Sequence, residues 1–65
     1  MRTYAVLAKR WDRGWELHVE GVGVTQSQGL VDAEGMARSY VTLVTGAAPN
    51  TFDIEFVPEA DWMGQ

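Results

Sequence analysis

The chain has no cysteine, one histidine and two prolines among its 65 residues. Without thiols there is no disulfide framework and no thiolate nucleophile, and His18 alone cannot supply the nitrogen and sulfur ligands of a structural zinc site. Basic residues are also scarce: five Lys and Arg stand against nine Asp and Glu, for a formal net charge of −4 and a pI near 4.6. Five cations are too few to neutralise a run of phosphates, so direct nucleic-acid binding is not expected. No apolar run approaches the roughly 20 residues that span a bilayer, and Met1-Arg2-Thr3-Tyr4 opens no signal-peptide apolar region. A cytoplasmic protein without a membrane partner is the expectation.

What is present is one small domain. A chain of this length buries only about 60% of the surface its unfolded form exposes, and such a core supplies little net stability. With disulfide and metal support excluded, self-association remains, and a homo-oligomer, a dimer or higher, is expected. The acidic balance suits a basic protein partner, although the same charge also maintains solubility.

Apolar residues dominate Thr3 to Lys9, with Tyr4, Val6 and Ala8 on one face of an extended segment and Ala5 and Leu7 on the other, as in a central strand covered on both sides. Trp11-Asp12-Arg13-Gly14 carries turn chemistry, with Gly14 expected at positive φ. Trp15, Leu17 and Val19 then alternate with Glu16, His18 and Glu20, the pattern of a strand with one dry face and one wet face. Gly21-Val22-Gly23-Val24 reads as a bend or bulge, and Thr25-Gln26-Ser27 as a short third strand.

From Leu30 to about Thr45 the period becomes helical, with Leu30, Ala33, Ala37, Tyr40, Val41 and Val44 on one face. Gly29 is expected at the helix start and Gly46, followed by Pro49, at its end. Arg38, Thr42 and Thr45 are expected to face water, while Met36 and Leu43 lie off the main stripe and suggest a second contact surface. Phe52, Ile54 and Phe56 alternate with Asp53 and Glu55 in a last strand that stops before Pro58. The expected fold is α+β, of order β-β-β-α-β: a four-stranded mixed sheet with one helix on one face. Residues 1–58 form the domain, and 59–65 a flexible C-terminal tail in which Trp62 and Met63 dock on a neighbouring surface.

In this order and spacing the chain resembles the HicB-family antitoxins, whose domain is a truncated ribonuclease-H-like fold. The likeness rests on Tyr4-Ala5-Val6-Leu7-Ala8, on Trp15-Glu16-Leu17-His18-Val19, and on Gly23-Val24-Thr25-Gln26-Ser27. The helix opening Gly29-Leu30-Val31-Asp32-Ala33-Glu34-Gly35-Met36-Ala37-Arg38 and the strand Phe52-Asp53-Ile54-Glu55-Phe56 complete it. The resemblance implies a non-catalytic antitoxin of a toxin–antitoxin system that sequesters a small basic HicA-type RNA-cleaving toxin by steric occlusion. Two departures are visible. No ribbon-helix-helix or helix-turn-helix segment follows the last strand, so operator binding by this chain is not expected, and Glu20-Gly21-Val22-Gly23-Val24 replaces the family's Pro- and Cys-containing bend.

The residues themselves argue against catalysis. Two-metal nucleases gather several carboxylates, normally one of them from the first strand, and Thr3-Tyr4-Ala5-Val6-Leu7-Ala8 has no acid to complement Asp53 and Glu55. Neither an enzyme nor a cofactor is therefore expected. Glu16, His18 and Glu20 stand about 7 Å apart along one strand face, which fits a solvated stripe or a polar interface patch better than a metal site. Trp11 is either an interface anchor or a cover on the edge of a core that holds Trp15. The candidate partner-binding residues are Trp11, Glu16, His18 and Glu20, with no catalytic or metal-ligating residue. The competing expectation is a small homo-oligomeric module that binds an apolar or aromatic ligand between sheet faces, without a toxin partner.

Overall fold

The computed structural model describes residues 1–58; the expectation of a docked tail at 59–65 lies outside them. Alternating apolar residues build three successive antiparallel strands, β1 (Arg2–Trp11), β2 (Gly14–Val19) and β3 (Gly23–Ser27). A single 3-10 turn (Leu30–Asp32) leads into α1 (Ala33–Thr45), and β4 (Phe52–Phe56) returns to the sheet. The sheet order is β3-β2-β1-β4, with β4 parallel to β1. This is the α+β fold of order β-β-β-α-β that the periodicities predict. β1 runs further than Thr3 to Lys9, because Arg10 and Trp11 pair with Trp15 and Gly14 to tighten the hairpin.

The core lies between the sheet and α1. Tyr4, Val6, Leu17, Val19 and Phe52 from the strands meet Ala33, Ala37 and Val41 of the helix. Two alanines on the buried stripe let the helix axis approach the sheet closely, since a larger side chain there would displace it. The Phe52 and Tyr4 rings meet edge to face, with centroids 5.4 Å apart, an arrangement that aligns one ring's positive edge with the other's negative face. Trp15 packs against this cluster from its margin, with the Arg10 guanidinium 5.4 Å from its ring centroid.

Several expectations are corrected. Leu30 and Val44 are 55% and 52% exposed. Leu30 belongs to the 3-10 turn that precedes the helix, and Val44 to its last turn, so both ends of the apolar stripe stay outside the core. Arg38 does not face water: its guanidinium donates to the carbonyls of Pro49 (2.5 Å) and Phe52 (2.8 Å) and to Glu34 Oε2 (3.0 Å), and it stacks on the Phe52 ring. Thr42 Oγ1 is buried without a hydrogen-bond partner among the described residues. Gly14 does not have positive φ; a Cβ there would collide with the Ser27 carbonyl oxygen of the neighbouring strand. Gly46 does adopt the left-handed conformation, at φ 81°, and its N–H donates to the Thr42 carbonyl to close the helix, as expected of a residue free of the Cβ penalty.

Candidate functional site

The sheet has one face under α1. Strand register defines what the other face carries. Leu7 pairs with His18, and Lys9 with Glu16, across β1 and β2. Glu20 N–H donates to the Ala5 carbonyl at 3.0 Å, which extends the same ladder by one residue. On the opposite side of β1, Ala5 pairs with Glu55 and Thr3 with Asp53. Across β2, His18 pairs with Val24 and Glu16 with Gln26. Because side chains alternate across a strand, all of these residues share the face turned away from the helix.

The result is an apolar centre between acids. Ala5 and Leu7 lie on the central strand, and Leu7 is only 3% exposed although it does not belong to the cluster under the helix. Glu20 and Glu55 flank Ala5 from the two neighbouring strands, which sets their backbones about 10 Å apart at the usual spacing between strands. Glu20, Asp53 and Glu55 are exposed, and Glu16 is half-buried. Among the described residues, four carboxylates and one ammonium, Lys9, thus occupy this face.

Glu16 and His18 do meet, with Glu16 Oε1 and His18 Nε2 3.2 Å apart. No cluster of three or more His, Asp or Glu side chains among the described residues is arranged to hold a metal ion. The spacing explains this: acids on alternate positions of one strand, or two strands apart, point in parallel and do not converge. Ser27, the one buried polar residue among the described residues, donates its Oγ hydrogen to the Gly29 carbonyl at 2.6 Å, a structural contact that locks the turn before α1.

The chain matches no family model, no curated protein and no solved structure. Geometry and chemistry therefore carry the functional reading.

Of the candidate residues, Glu16, His18 and Glu20 come together on the open face, as the alternation in β2 predicts. Trp11 stands apart at the hairpin end of β1. There, with Gln26, Gln28, Val31 and Met36, it lines an open groove of about 850 Å³. Asp53 and Glu55 belong to the same acidic face and were not singled out for it from sequence. Their alternation with Phe52, Ile54 and Phe56 marks them as the wet side of β4, but only the pairing of β4 with β1 places that side next to Ala5. A second cavity, of about 420 Å³, opens near the start of the helix. Among the described residues its lining carries no charge and includes Ala8, Trp15, Leu30, Ala33 and Phe56. No helix among the described residues is long and apolar enough to cross a membrane.

Proposed function

We propose that this chain is a non-catalytic protein-binding domain that holds a basic partner against the open face of its sheet, in the manner of an antitoxin occluding a small basic RNA-cleaving toxin. The observation that carries this reading is the gathering of Glu16, Glu20, Asp53 and Glu55 on one sheet face, from the two sides of β1, with Glu20, Asp53 and Glu55 exposed. Carboxylates gathered on one sheet face steer the encounter with a cationic partner and select its charge. The HicB-like order of elements supplies the class of partner. Acids of this kind contribute mainly to association rate and specificity, so single neutralisations should weaken binding modestly and charge reversal more strongly.

The experiment is affinity capture from the native cytoplasm at moderate salt, run in parallel with wild-type chain and with the Glu20→Lys, Glu55→Lys double variant. Recovery of a stoichiometric basic protein by the wild type and its loss from the variant supports the reading. The recovered protein should cleave RNA alone and stop when the chain is added back. Equal recovery by both chains, or recovery of the chain alone, overturns it.

A second reading, a module for a small neutral ligand, is favoured by the cavity beside Trp15, whose described lining is apolar. A saturable change in tryptophan emission during titration with small aromatic compounds, lost in Ala33→Leu, would support that reading instead.

A further inference from the structure

The two edges of the sheet differ in a way the acidic-face reading does not use. β4 carries Asp53 and Glu55, and charged side chains are a common protection against edge-to-edge pairing. β3, Gly23-Val24-Thr25-Gln26-Ser27, carries no charge and no proline. Among the described residues it pairs with β2 on one side only. Alternate residues of such a strand direct their N–H and C=O groups outward, ready to pair.

The helix flank above this edge is also uncharged. Met36 and Leu43 are seven residues apart, two turns along one line of α1, with Tyr40 between them. That line faces β3: Met36 borders the same groove as Gln26 and Ser27, and a Cβ on Gly23 would collide with the Tyr40 hydroxyl. Leu43 is 82% exposed and Val24 50%. The opposite flank carries Glu34 and Arg38. The charged residues that line the groove, Arg13 and Asp32, are of opposite sign.

We propose that the β3 edge and the Met36–Leu43 ridge form the contact with a second copy of this chain, β3 pairing antiparallel with its twin about a two-fold axis. Charge selects the occupant. A chain of net charge −4 that met its copy through β4 or the open face would oppose carboxylate to carboxylate. Through β3 it opposes uncharged residue to uncharged residue and places two apolar ridges side by side. The two sheets become one, the unpaired edge is removed, and the open acidic faces of both copies remain available. A two-fold contact of this kind is self-complementary, which a single uncharged strand satisfies by pairing with itself.

Sedimentation equilibrium tests this with three proteins: wild type, Val24→Lys with Gln26→Lys, and Val24→Glu with Gln26→Glu. Both positions are exposed, and circular dichroism checks that the fold is retained. The wild type should sediment at twice its 7.2 kDa chain mass. Each charged variant should fall to the single mass, and an equimolar mixture of the two should return to the double mass, because lysine then faces glutamate across the axis. A wild type that remains at 7.2 kDa at millimolar concentration, charged variants that stay paired, or a mixture that stays single would each overturn the proposal. If the strand variants do not fold, Leu43→Lys and Leu43→Glu carry the same mixing test on the ridge.

Discussion

Arg38 shows how much one side chain can hold in a domain this small. Its fork ties the carbonyls of Pro49 and Phe52 and the Glu34 carboxylate to the helix, and its plane covers the Phe52 ring. It therefore fixes the point at which the α1–β4 connection re-enters the sheet. Arg38→Ala should destabilise the fold by about 1.5–3 kcal/mol, the range for hydrogen bonds that involve a charged group. Arg38→Lys should recover only part of that, because an ammonium cannot serve two carbonyls and a carboxylate in the geometry of a guanidinium. Urea denaturation followed by tryptophan emission reads both values. Gly14 is the second such position. The Ser27 carbonyl lies where its Cβ would stand, so Gly14→Ala must push β2 and β3 apart at the hairpin end and should cost about 1–3 kcal/mol, as overpacking does. Neither role was legible in the sequence. Arg38 reads as one more polar residue on a wet helix face and Gly14 as a turn residue, and in each case the partner that decides lies more than ten positions away.

At the level of elements the sequence was far more informative, because period and breaker residues are local properties. The alternation in Trp15 to Glu20 identifies β2 and its wet face, the shift to helical spacing after Gly29 locates α1, and Gly46 marks its end. The limits of the helix stripe were not local. Leu30 and Val44 have the correct spacing but lie beyond the reach of the core, so periodicity counted them in and tertiary packing left them out. Two substitutions in α1 follow from the observed packing. Thr42→Val removes a buried hydroxyl that has no partner among the described residues and keeps the shape of the side chain, so stability should rise by about 1 kcal/mol. Gly35→Ala places a methyl group in open space on the exposed side of the helix and should add about 0.5–1 kcal/mol through reduced freedom of the unfolded chain. Thermal unfolding at fixed protein concentration measures each. A fall in stability for Thr42→Val would mean that a water or another group satisfies the hydroxyl.

For the whole molecule, composition pointed to support beyond one small core, and topology determines where that support can attach. Half of the acidic face could be read from β2 alone, whereas Asp53 and Glu55 joined it only through the parallel pairing of β4 with β1. The same topology leaves the uncharged strand β3 at an edge. If two chains pair there and unfold together, dilution must favour the unfolded state by mass action. A hundredfold change in concentration alters the balance by about 2.7 kcal/mol. At roughly 2.1 cal/mol/K of unfolding entropy per residue, two 65-residue chains convert that into a shift of about 10 °C in the melting midpoint. Calorimetry of the wild type across that range should show the shift. The Val24→Lys, Gln26→Lys variant should melt at one temperature throughout, below the concentrated wild type and with the same far-ultraviolet spectrum. A midpoint independent of concentration in the wild type would place the stability entirely within the single chain and make β3 an edge that the protein tolerates without covering.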